Sequence, residues 1–252
     1  MWVFPLAAAI VALVFAALVT KEFVGHRRPY LAAWAIALFM FAAASGAAFL
    51  GILHGWDTRL YGVYWLFGAI LNVPFLAAGE ALLLFRNRNV GVVVFLVLVF
   101  MSAFAFNAVR SANMRGAALE CRDLPLGKAV FSTARPIPSH LTGGIAVQEC
   151  FEGGDSQQLP YHLAQWFSYP AYVLLVAGAV WSAFRMRRSP QSRNRFLGTV
   201  GIAVGATIVA IGSGVGAGLD VVWLFSICLA AGIAVMFWGF LRASRRPAAT
   251  SA

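Results

Sequence analysis

The chain is poor in charge. Only 11% of its 252 residues are Asp, Glu, Lys or Arg, against about a quarter in soluble domains. A water-facing surface cannot be made from so few ionic groups, so a soluble globular domain is excluded. Lysine is almost missing: Lys21 and Lys128 stand alone among 19 basic residues. Three cysteines are too few for a disulfide framework. Catalytic signatures are absent as well. There is no HExxH, no GxSxG, no pair of carboxylates at helical spacing inside an apolar run and no Cys–His pair with a role. His54, His140, His162 and Asp57 lack a metal-ligand spacing such as HxxxH, so no metal is expected. A membrane enzyme is therefore the least supported class.

What the chain does have is apolar length. It is 61% hydrophobic with mean hydropathy +0.80. About 20 apolar residues cross a bilayer as a helix. Seven stretches qualify: Trp2–Thr20, Tyr30–Leu53, Leu60–Phe85, Val90–Val109, Tyr161–Phe184, Phe196–Gly212 and Leu219–Leu241. The expected fold is all-α, one polytopic bundle of seven transmembrane helices over residues 1–252. The first stretch is not read as a signal peptide, because its positive residues follow it rather than precede it.

Orientation comes from arginine. With the N-terminus out and the C-terminus in, every cytoplasmic segment is short and basic: Lys21, Arg27 and Arg28; Arg86 and Arg88; Arg185 to Arg195; Arg242 to Arg246. The expected location is a bacterial plasma (inner) membrane, crossed many times. The net charge of +10 follows from these loops, so it marks orientation and no nucleic-acid partner.

The long outer loop, residues 111–160, holds Cys121 and Cys150. In an oxidising compartment these are expected to form a disulfide, worth roughly 3–4 kcal/mol by chain entropy; two free thiols are the alternative. Cys228, inside the last stretch, reads as a packing residue. There is also a faint internal echo. Trp2-Val-Phe-Pro5 opens the first stretch and Trp166-Phe-Ser-Tyr-Pro170 the fifth. It fits a parallel 3+1+3 repeat with the fourth helix as linker, as in sugar-exporting transporters of the SWEET type. Interfacial Trp and first-turn Pro explain the same residues without a repeat.

Polar residues inside spans are costly and so are candidates for function. The third stretch carries Asn72, two residues before Pro74, and Glu80. Pro74 removes a donor and frees the carbonyl four residues back, that of Ile70. Asn72 then either satisfies freed backbone or a neighbouring helix, or contacts a ligand. Glu80 either reaches the headgroups or a cytoplasmic arginine, or acts as a proton-coupling carboxylate. Near the outer ends lie His54, Asp57, Asn107, Arg110, His162, Gln165 and Asp220. Asn107 and Arg110 share a helix face. These seven form either a solvated collar or a pocket, with Arg110 paired to Asp57 or Asp220 and able to hold a small polar or anionic ligand from outside. Gly201 and Gly205, four apart, predict close helix packing.

Two resemblances follow. Seven helices, N-out and C-in, with Tyr64-Trp65-Leu66-Phe67 and then Pro74, resemble the microbial rhodopsins. That family implies retinal on a lysine of the last helix. Neither Lys21 nor Lys128 lies in a span, so covalent retinal is excluded and no cofactor is expected. The entry Arg27-Arg28-Pro29, then Trp34-Ala-Ile-Ala-Leu-Phe-Met-Phe-Ala, then Tyr64 to Pro74 is similar to a group of uncharacterised seven-helix membrane proteins of actinobacteria, over residues 27–85. It implies a lineage and no activity. Three functions stay open: a non-enzymatic bundle in the lipid bilayer that binds a small molecule or lipid as sensor or accessory subunit, a small-solute transporter, and a membrane enzyme using the outer polar site.

Overall fold

The computed structural model describes residues 2–85, 87–120, 124–125, 127–133, 156–186, 193–213 and 222–244. Among them the chain is helical throughout. The elements are α1 (Val3–His26), α2 (Pro29–His54), α3 (Thr58–Tyr64), a π-helical segment (Trp65–Leu71), α4 (Asn72–Leu84), α5 (Arg88–Ser111), α6 (Gly116–Glu120), α7 (Gly127–Val130), α8 (Leu159–Met186), α9 (Arg193–Ile211) and α10 (Val222–Ser244). No strand forms among the described residues; Ser132 and Gln157 make one isolated antiparallel bridge.

Six helices are long and apolar enough to cross a membrane. They are α1, α2, the continuous run Thr58–Leu84, α5, and the stretches Leu159–Trp181 and Trp223–Arg242. The sixth stretch of the sequence becomes α9, whose apolar part, Val200–Ile211, is shorter. Junctions follow local chemistry. Arg27 ends α1 in the left-handed region (φ 52°), its N–H reaching back to Phe23 O at 2.7 Å, and Pro29 opens α2 with its φ already helical.

The helices form a closed ring in the order α1, α2, α4, α8, α9, α10 and back to α1, and α5 lies outside it against α4, α8 and the π segment. Trp2 meets Phe49 at 6.1 Å, so the start of α1 stands beside the end of α2. That end also carries α6 and α7 and is called here the loop end. Along α5 only Ala105, Ala108 and Val109 are buried. Phe95, Leu96 and Phe100 are exposed, as suits an outlying helix in lipid.

The tightest pairing joins α9 to α10. A Cβ on Gly205 would stand 2.5 Å from Gly232 O and 2.7 Å from Met236 N, and one on Gly239 2.6 Å from Gly198 O. The expected close approach at Gly201 and Gly205 is therefore made, and its partner is α10.

Candidate functional site

Pro74 sets the shape of the third span. The π-helical segment ends three residues before it. Pro74 itself stands in the first turn of α4, just past the π-helical segment, where its missing donor is tolerated. Ser168 of α8 ties this segment to the ring: its Oγ donates to Ala69 O at 2.7 Å. Asn72 does not serve the freed backbone. It is buried, and its Oδ1 has no donor.

Glu80 follows two turns later, and it neither reaches the headgroups nor pairs with an arginine among the described residues. It is 5% exposed, and its Oε1 is buried without a donor. Arg88 is exposed, and Arg86 lies outside the described residues. Packing turns the carboxyl inward. Trp34 covers Gly79, where any side chain would collide with its ring, and donates Nε1 to Leu76 O at 3.2 Å. Gly178 of α8 leaves room for Glu80, since a Cβ there would stand 2.6 Å from its Cγ. Glu80 borders a small cavity of about 20 Å³, room for about one water. Its wall is Phe15 and Val19 of α1, Trp34 and Leu38 of α2, Leu76 of α4, Leu175 of α8, Ile202 of α9, and Met236 and Phe240 of α10. Every helix of the ring contributes.

Aromatic side chains close the loop end. Tyr61 stacks on Trp65 at 5.9 Å, and Phe131 packs on Trp65 at 5.1 Å. Tyr61 Oη donates to Pro125 O at 3.2 Å and Trp65 Nε1 to Pro160 O at 3.1 Å. Leu124, Ala129, Val130 and Phe131 are buried in this cap. Gln158 locks it: its side chain accepts from Asn113 N at 2.9 Å and donates to Asn113 O at 2.7 Å. The amide acts here as one more strand of backbone.

The polar residues expected to converge near this end are mostly dispersed. His54 and Asp57 do share an open groove of about 790 Å³, with Trp56, Leu60 and Glu120. Asp57 Oδ1 accepts from Leu60 N at 2.7 Å and so caps α3. Replacing it with alanine is expected to cost ~1 kcal/mol, read as a lower melting midpoint; an unchanged midpoint would show the cap to be idle. His162 is half-buried and stacked on Trp166 at 5.6 Å, and Gln165 is half-buried nearby on the same helix. Asn107 and Arg110 share a face as their spacing demands, but both are exposed, because α5 turns Ala105, Ala108 and Val109 to the ring instead. Arg110 does not form the expected pair with Asp57. Asp220, Cys121, Cys150 and His140 lie outside the described residues. Among the described residues no His, Cys, Asp and Glu group has metal-holding geometry.

Sequence reasoning missed the aromatic cap, Gln158 and Glu120. Tyr61, Tyr64 and Trp65 at helical spacing before an unsplit apolar run were the signal for the cap; nothing local marks Gln158. Six helices long and apolar enough to cross a bilayer mark the class as a helical membrane protein. Within that class, comparison with protein-family models, with curated proteins and with solved structures gives no match.

Proposed function

We infer that the chain is a non-enzymatic membrane protein that binds a small solute in the chamber around Glu80 and carries it across the bilayer. One observation carries this reading: all six ring helices wall a small chamber bordered by Glu80, whose carboxyl is buried with an unpartnered oxygen. Unsatisfied acceptors inside a membrane bundle are costly, and substrate and ion pathways are where they occur. The order of the ring adds support. If α1, α2 and α3–α4 are matched to α8, α9 and α10, a two-fold axis exchanges the contact α1–α10 with the contact α4–α8. Both contacts are made, and α5 stands outside as a linker would. This is the adjacency of a parallel 3+1+3 repeat, with the site at the repeat interface.

The repeat requires seven spans. At 19 residues α9 is roughly 28 Å long, close to the hydrocarbon thickness. Arginine placement then puts the loop end outside and the tail after Arg242 in the cytoplasm of a bacterial plasma membrane. The cap accordingly faces the external medium and closes the chamber from that side. A Cys121–Cys150 disulfide belongs to the same reading. Phe131 O accepts from Gln158 N at 2.8 Å, so the described residues on either side of positions 134–155 stand together. Peptide mapping without reductant should recover the linked pair, and recovery of two alkylated thiols would remove it.

Stopped-flow light scattering of proteoliposomes against a panel of small solutes tests transport. Wild type should admit at least one solute faster than empty liposomes, and Leu175→Trp, which fills the chamber, should not. Solute-dependent melting without flux would select the second reading, a sensor or accessory subunit that binds at the same chamber. Neither flux nor binding would reject both.

A further inference from the structure

We propose that the chamber takes a small ammonium-type cation, either ammonium itself or a short primary amine. This rests on reading the chamber as the solute site. The wall offers one acceptor and no free donor. Glu80 Oε1 is buried and unpartnered, and no cationic side chain among the described residues pairs with it. The indole N–H of Trp34 is already committed to Leu76 O. All other lining residues are apolar. An occupant must therefore bring both the positive charge and the hydrogen atoms.

That requirement separates the candidates. An anion has nothing to bind. Water finds one side-chain acceptor where a buried water makes about three hydrogen bonds, and it brings no charge to offset a carboxylate. Sodium and potassium lose their hydration shell only where a cage of oxygens replaces it, and this wall supplies one carboxylate. An ammonium group differs from the alkali ions in carrying its own donors. One N–H engages Glu80, and the remaining charge faces Phe15, Trp34 and Phe240, whose rings attract cations more strongly once water is excluded. Size agrees, because about 20 Å³ holds one water-sized group. A methyl on the amine would have to press on Leu38, Leu175 or Met236, which line the same wall.

The test is the melting midpoint of the detergent-solubilised full chain in ammonium, methylammonium, sodium or potassium chloride at equal ionic strength. Ammonium and methylammonium should raise the midpoint in a saturable way above the two alkali salts. Glu80→Gln, nearly isosteric, should melt in sodium chloride no lower than wild type and bind ammonium about tenfold or more weakly. Phe240→Leu keeps the carboxylate and removes one ring, and should weaken ammonium about two- to fivefold. An equal response to all four salts overturns the proposal, and so does an ammonium response that survives Glu80→Gln. If that variant does not fold, an unaltered ammonium response in Phe240→Leu overturns it equally. Uptake of a neutral solute, blocked by Leu175→Trp, without an ammonium effect would refute the cation and leave transport standing. Ammonium binding without flux of any solute would do the reverse.

Discussion

Gly205→Leu should abolish the folded bundle, whereas Gly46→Ala should leave it intact or slightly stabilise it. Both glycines lie inside apolar helices, and propensity alone favours either change by up to ~1 kcal/mol. Their surroundings differ. Nothing lies within 4 Å of a Cβ added at Gly46. At Gly205 even a Cβ would stand 2.5 Å from Gly232 O and 2.7 Å from Met236 N, and these are backbone atoms that no rotamer change can withdraw. Leucine there must drive α9 from α10 along their length, since a Cβ on Gly201 would likewise stand 3.0 Å from Gly239 Cα in the same seam. The cost should exceed the ~3 kcal/mol upper end of ordinary overpacking. Size-exclusion chromatography should show loss of the monodisperse species. Because α9 and α10 also complete the ring around Glu80, ammonium binding should vanish together with the fold. A monodisperse, ammonium-responsive Gly205→Leu protein would mean that the two helices do not pack as described.

The helices were legible because the bilayer demands apolar length, and apolar length is a local property. Their ends were less so. α1 runs on from Thr20 to His26 because Lys21 and Glu22 continue a helix readily once it has left the apolar layer. The third span was read as one helix; Pro74 marked an irregularity, but the π-helical segment before it and the bond to Ala69 O from Ser168, 99 positions away, were not legible locally. Glu80 was recognisable as a polar residue in a span. Its inward aim was not, because Trp34 and Gly178 come from two other helices. The outer residues failed for a complementary reason. Depth along a helix can be read from sequence and places His54, Arg110 and His162 on one level. Rotation about the bundle cannot, and α5 carries Asn107 and Arg110 to the outside of the ring. The small buried face of α5 at Ala105, Ala108 and Val109 was the available hint, since it leaves the 107–110 face turned away.

Trp65→Ala should both destabilise the chain and open its loop end. Trp65 joins the ring to the cap: it stacks on Tyr61, packs on Phe131, lies parallel to Tyr161 at 6.4 Å, and bonds Pro160 O. Gly127, at the start of α7, lies directly on its ring, where no side chain would fit. Truncation to alanine empties the space beneath α7 and removes the bond to Pro160 O at the start of α8. Buried Trp-to-Ala changes cost about 3–5 kcal/mol. Because the void lies between cap and ring, the loss should appear first as local opening rather than global unfolding. Lys128 reports it: the residue is exposed but held in α7, where a protease cannot extend the backbone. Trypsin should cleave at Lys128 about tenfold or more faster in Trp65→Ala than in wild type. Trp65→Phe, which keeps most of the ring but not the bond to Pro160, should fall between them. Solute flux separates a cap that gates from one that only packs. If the cap closes the chamber from outside, Trp65→Ala proteoliposomes should admit the transported solute faster at temperatures well below melting. Faster cleavage with unchanged flux would make Trp65 a structural anchor alone, and unchanged cleavage would mean that the cap does not depend on Trp65.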